Sequence, residues 1–103
     1  MKLTFENGAD HVAARVTGAL TAENSDGLVS QLRAHFHQHK PKRYVVDLSA
    51  VTQLDSAGIG ALVSCLHHVR SAGAHLQLAG VSGRVLMTLQ IARADRLFDL
   101  IPV

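Results

Sequence analysis

"DLSAVTQLDSAGIGALVSCL", Asp47 to Leu66, is the stretch that decides the fold. It starts at the end of an apolar run and turns polar around Leu54-Asp55-Ser56-Ala57-Gly58. Beyond that point Ile59, Leu62, Val63 and Leu66 recur at the spacing of one helix face, so a helix opens near Ser56. The preceding "RYVVDL", Arg43 to Leu48, is short, β-branched and nearly all apolar, which predicts a strand covered on both faces. A strand therefore hands over to a helix, and "SAVTQLDSAG" reads as the loop between them. Either Asp55 or Ser56 suits the helix N-cap, where a side-chain oxygen accepts a free backbone amide. An acidic residue there also complements the positive end of the helix dipole. Gly58 and Gly60 sit inside the helix start, and without Cβ atoms they let the sheet or a partner come close.

Outward from this junction the pattern continues in both directions. "KLTF" places Leu3 and Phe5 on one strand face. "HVAARVTGAL" places Val12, Ala14 and Val16 on one face, with Ala13, Arg15 and Thr17 on the other. Asn7-Gly8 between them is a hairpin signal, because both residues tolerate the positive φ of tight turns. In "TAENSDGLVSQLRAHFHQHK", Thr21 or Ser25 can cap a helix whose buried stripe is Leu28, Val29, Leu32 and Phe36. Pro41 ends that helix soon after His39.

After the second helix, Gly73 is a C-terminal cap and "AHLQLAG" is a further short strand. "VSGRVLMTLQIA" is a third helix, capped by Ser82, with Val85, Leu86 and Leu89 inward. "RLFDLIPV" closes the chain as a strand or a helical turn. The order β-β-α-β-α-β-α implies an α/β fold with a mixed, mainly parallel sheet. Functional sites in such sheets favour the loops at the carboxyl ends of strands, where the Ser56 region lies.

The bulk composition narrows the function. The 103 residues predict a single domain over 1–103. No apolar run approaches a membrane span, and the N-terminus lacks a signal-peptide core, so a cytoplasmic protein without direct membrane insertion is expected. Net charge is +2, with four aromatic residues and no tryptophan, which argues against nucleic-acid binding. The lone Cys65 lies in an apolar helical stretch and reads as a buried, inert thiol.

Enzyme signatures fail one by one. "GIGALV" has Val63 where the dinucleotide fingerprint needs its third glycine, and no acidic residue follows at the required distance. No lysine follows the glycines, as a P-loop requires. The serine is flanked as Leu54-Asp55-Ser56-Ala57-Gly58, not as G-x-S-x-G. His35 and His39, four apart, have the spacing to share a zinc ion, but no HExxH motif or cysteine pair accompanies them. His37 and His39 also suit a helix C-terminus. His67 and His68 are expected at the solvent edge of the second helix, and His75 at a strand start. No metal, cofactor or catalytic residue is expected.

Ser56 has a second reading beside capping. At a helix start, among small residues, its hydroxyl can enter a kinase active site, and the free amides and dipole there tolerate a phosphate.

"VVDLSAVTQLDSAGIGALV" resembles the signature of the STAS domain, the fold of anti-sigma-factor antagonists. The matching residues are Asp47, Leu48, Ser49, Val51, Asp55, Ser56, Gly58 and Gly60. The likeness extends over nearly the whole chain, through "LTAENSDGL" and "LAGVSGRVLMTLQIARADRLFDLIP". The resemblance implies helices packed on one side of the sheet and a non-enzymatic role in protein–protein regulation of transcription. It implies Ser56 as phosphoacceptor. It implies a partner-binding surface from Asp47, Ser49, Thr52, Asp55, Ser56, Ala57, Gly58 and Gly60, with Asp47 and Asp55 flanking one loop. The implied partners are an anti-sigma factor that is also a serine kinase of the histidine-kinase-like ATPase type, and a serine phosphatase that resets the switch. Relatives that act without phosphorylation, in lipid-transport ABC systems or stressosome-type assemblies, give the alternative role.

Overall fold

The computed structural model describes residues 1–102. The strands are β1 (Lys2–Asn7), β2 (His11–Leu20), β3 (Arg43–Leu54), β4 (His75–Ala79) and β5 (Asp99–Ile101). The helices are α1 (Ser25–His39), α2 (Ser56–Ser71) and α3 (Gly83–Ile91), followed by a 3-10 turn at Asp95–Leu97. The closing segment thus contains both a helical turn and a strand.

The five strands lie in the order β1-β2-β3-β4-β5, with β1 antiparallel to β2 and every later pair parallel. Each parallel step is made through one helix and advances in the same direction across the sheet. Right-handed crossovers then place all three helices on the same face. Burial follows this geometry. Val12, Ala14 and Val16 of β2 are buried, while Arg15 and Thr17 face solvent. β3 is therefore covered by helices on one face only, not on both as its apolar sequence suggests. Its Val45 is nevertheless buried on the open face, and Asp47 beyond it is half-buried.

The core joins Tyr44, Val46 and Leu48 of β3 to Leu28, Leu32 and Phe36 of α1 and to Leu62, Leu66 and Val69 of α2. Cys65 is buried among them, and loss of solvation pushes its thiol up to about 11, which keeps it protonated and unreactive at neutral pH.

Several boundaries have local causes. α1 stops at His39 because Lys40 turns left-handed (φ 45°) ahead of Pro41. α2 stops at Ser71 because Gly73, with a φ of +79°, carries a Schellman-type closure in which the Ala74 amide bonds the Val69 carbonyl. The start of α1 differs from the sequence expectation. Neither Thr21 nor Ser25 caps it; the cap position is Asn24, and Ser25 is a buried first-turn residue. The Asn24 side chain ties the turn instead, accepting the Thr21 amide at 2.9 Å and donating to the Ala19 carbonyl at 2.8 Å. Ser82 holds the cap position of α3 without a side-chain cap bond. Gly8 does not adopt a positive φ; its amide bonds the His11 carbonyl at 2.8 Å, and it leaves room for the His11 ring.

Candidate functional site

The largest departure from the sequence reading lies just before Ser56. "SAVTQL" is not loop but the second half of β3, paired with Thr17–Leu20 at the end of β2. Two register irregularities interrupt this pairing, one beyond Arg15–Asp47 and one beyond Gly18–Val51. Bulges add residues to one strand and change which face each side chain takes. β4 pairs with β3 only as far as Asp47, so β2 and β3 run on together as a two-stranded arm. That arm ends at Leu54, and α2 begins at Ser56, leaving a junction of one residue, Asp55.

Asp55 is bonded at every polar position it has. Its backbone is extended, and Oδ1 accepts the Gly58 amide at 2.8 Å, so the N-cap is Asp55 and not Ser56. Its Oδ2 accepts the Ala22 amide at 3.1 Å, from the turn that leads into α1. Its own amide reaches the Leu20 carbonyl at 3.4 Å, and its carbonyl accepts from Ile59 at 3.0 Å. One residue, through its backbone amide and its side chain, thus staples the end of β2, the α1 turn and the start of α2. Beside it lies an open, shallow hollow of about 360 Å³ lined by Ala19, Thr21, Ala22, Glu23, Gln53 and Asp55.

With capping taken by Asp55, Ser56 is left exposed as the first residue of α2. Ala57 beside it is half-buried. The two glycines part company. Gly58 is buried, and a Cβ there would meet the Leu20 carbonyl oxygen at 2.3 Å and Leu54 Cδ1 at 2.8 Å. The helix therefore needs glycine at this position to rest against the sheet. Gly60 is exposed and a Cβ would meet nothing within 4 Å.

The remaining expected site residues are not gathered here. Thr52 is exposed on the β3 arm, on the approach to the junction. Ser49 is exposed near the first irregularity, and its amide donates to Asp47 Oδ1 at 2.9 Å. Asp47 lines a hollow of about 180 Å³ on the open sheet face with Thr4, Glu6, Ala13 and Arg15. Asp47 pairs with Arg15 and Leu54 with Leu20, so five positions of β2, roughly 17 Å at ordinary strand rise, separate Asp47 from the end of the arm beside Asp55. Asp47 and Asp55 do not flank one loop. Asp47 closes a strand irregularity, and Asp55 closes a helix. Two residues that sequence reasoning passed over belong with the junction: Ala22, through its amide, and Asn24, which fixes the turn carrying it. The polar cluster "TAEN" was the available signal.

The histidines also sort themselves. His67 is exposed, but His68 is half-buried against α1 and does not lie at a solvent edge. His75 opens β4 and meets Asp99 at 2.9 Å. Among the described residues no three His, Cys, Asp or Glu side chains are grouped to hold a metal ion. Among them also, no helix is long and apolar enough to cross a membrane.

The sequence profile of the STAS domain family matches residues 3–103. The chain belongs to the STAS domain family. A STAS-domain-containing protein of Pseudomonas aeruginosa (strain UCBPP-PA14) is 38% identical over 60 residues, which is 58% of this chain and 59% of that relative. The match thus spans about three-fifths of that relative's length. Among solved structures, an anti-sigma factor antagonist from Mycobacterium paratuberculosis superposes with a TM-score of 0.86 at 20% identity, covering 99% of this chain and 86% of that one. The anti-sigma factor antagonist SpoIIAA of Bacillus, in its unphosphorylated form, gives 0.73 at 13% identity, covering 99% and 89%. At these identities the structural likeness is one of fold. This STAS domain therefore has the mixed sheet and one-sided helices expected of it.

Proposed function

We propose that this STAS domain is an anti-sigma-factor antagonist: a non-enzymatic, cytoplasmic binding module, one domain over residues 1–103, switched by phosphorylation of Ser56. The partner is a serine kinase of the histidine-kinase-like ATPase type that also acts as the anti-sigma factor. Unmodified protein binds and sequesters it, and a serine phosphatase restores the unmodified state. The partner contacts Thr52, Asp55, Ser56, Ala57 and Gly60 around the start of α2. Gly58 shapes that surface from behind, and Asp47 and Ser49 extend it back along β3.

One observation carries this reading. Ser56 is exposed on a helix start that Asp55 has already capped and stapled. Modifying Ser56 therefore breaks no bond that holds the fold. A phosphate brings about −1.5 to −2 charges and three acceptor oxygens. It stands beside the Asp55 carboxylate, whose two oxygens are both occupied by amides. Like charges repel, so the phosphate projects outward into whatever docks there. Against a close-packed acidic or apolar partner this costs about 3 kcal/mol, a hundredfold in affinity. SpoIIAA, which shares the fold, has been solved in both unphosphorylated and phosphorylated forms.

The test is incubation with ATP and the cognate kinase, followed by mapping of the modified residue by mass spectrometry. Phosphate on Ser56, absent from Ser56→Ala, supports the switch. Phosphate elsewhere, or none, removes it. Co-purification with a transporter ATPase that holds Ser56→Asp as tightly as the unsubstituted protein assigns the domain to the assemblies that work without phosphorylation.

A further inference from the structure

Four of the seven histidines gather where the C-terminal half of α1 meets the sheet and α2. The His35 ring stacks flat on Phe5 of β1, with centroids 3.8 Å apart and planes 13° off parallel. Its Nδ1 lies 3.2 Å from the Tyr44 hydroxyl of β3, and the His39 ring is 4.3 Å away on its own helix. His68 of α2 sets its ring edge-on against Phe36 at 5.7 Å and His37 at 5.2 Å, both on α1. Its Nε2 is shut off from solvent without a hydrogen-bond partner among the described residues. These two rings therefore help to fasten α1, one to the sheet and one to the neighbouring helix.

Among the described residues neither ring has a carboxylate within ion-pair distance. His35 faces Phe5, the Tyr44 hydroxyl and a second histidine. His68 faces Arg33 and His37 from α1, and shares a cavity of about 10 Å³ with Arg33, Tyr44 and Cys65. That volume holds one water at most. On its outer side His68 shares a hollow with His37 and Lys40. The titratable neighbours are thus cationic or neutral. His11 and His75 differ, since each has a carboxylate, Asp10 at 3.4 Å and Asp99 at 2.9 Å.

We propose that this cluster is an acid-sensitive latch: with His35 and His68 neutral, α1 is docked, and their protonation releases its C-terminal half from the sheet and from α2. Burial lowers the pKa of both, and the second charge comes from His39 for His35, and from Arg33 and His37 for His68. Once α1 is released each ring regains an ordinary value near 6.5. Above that pH both forms are neutral and docking is unaffected. Below it the released form binds protons first, so docking weakens as pH falls. While the docked ring stays neutral, each histidine shifts the equilibrium by up to about tenfold per pH unit.

Amide hydrogen exchange on the full chain at pH 7.5 and 5.5, corrected for intrinsic rates, tests the latch without any partner. A failed Ser56 switch would leave this result untouched. Protection of the Leu32–His39 amides is expected to fall about tenfold or more relative to the α3 amides, and the difference should vanish in His35→Gln/His68→Gln. Parallel loss in both helices, or the same loss in the double variant, overturns the proposal. Should that variant not fold, NMR titration of the unsubstituted protein decides. Values below 6.5 for both rings uphold the latch, and a value at or above 6.5 for either ring overturns it.

Discussion

Gly58 and Gly60 stand two residues apart in the same helix and do opposite things. Gly58 faces inward, where a methyl group would collide with the Leu20 carbonyl oxygen and Leu54. Gly60 faces outward into open space and costs the helix stability with no return inside the chain. An inward glycine explains how α2 lies against the β2–β3 arm. An outward one is a vacancy on the same face of the helix as Ser56, one turn along. The inner side of the α2 start is fixed by packing, and the outer side is kept small and clear.

Substitutions separate these two sides, and the inward side should yield the larger effects. Gly58→Ala forces either the backbone of β2 or α2 itself to move, and should destabilise by about 3 kcal/mol, the upper part of the usual overpacking range. Urea unfolding would detect this as a lowered midpoint with unchanged slope. An unchanged midpoint would show that α2 is free to lift from the arm. Asp55→Ala removes both the cap and the bond to Ala22. It should cost about 2 kcal/mol, toward the high end for caps, with faster amide exchange in the first turn of α2 and at Ala22.

The outward side should respond in the other direction. Gly60→Ala should raise stability by up to about 1 kcal/mol, since alanine is the better helix former and no neighbour obstructs it. The same substitution should weaken partner binding if the vacancy is used. A gain in stability with unaltered binding would separate Gly60 from the docking surface. Ser56→Ala should alter stability by no more than about 0.5 kcal/mol, because Asp55 does the capping. A larger loss in thermal midpoint would mean that the hydroxyl has a structural duty.

The contrast was only half legible in the sequence. Alternation in β2 and the helical stripe of α2 announce themselves, because their periods are two and 3.6 and their partners are local in pattern. The element order follows from them, whereas the one-sided layering was implied only by the family resemblance, since the apolar run of β3 suggests cover on both faces. The second half of β3 does not announce itself. Its buried residues Leu48, Val51 and Leu54 come three apart, since two strand irregularities break the alternation, and the stretch imitates a polar loop. Both glycines look alike in sequence, and only the approach of Leu20, 38 positions earlier, distinguishes them. His68 reads as a solvent-edge residue for a similar reason: the Phe36 and His37 rings that cover it come from another helix. Ser56 was recognisable as a candidate. That Asp55 frees it from capping depends on which of two adjacent side chains reaches the Gly58 amide.

The central claim is that Ser56 controls binding without supporting the fold. The most direct measurement pairs the affinity of Ser56→Asp for the cognate histidine-kinase-like ATPase with its thermal midpoint. A loss of about a hundredfold in affinity with an unchanged midpoint is the predicted result. Undiminished affinity, or a loss of affinity matched by a collapse in stability, would contradict it.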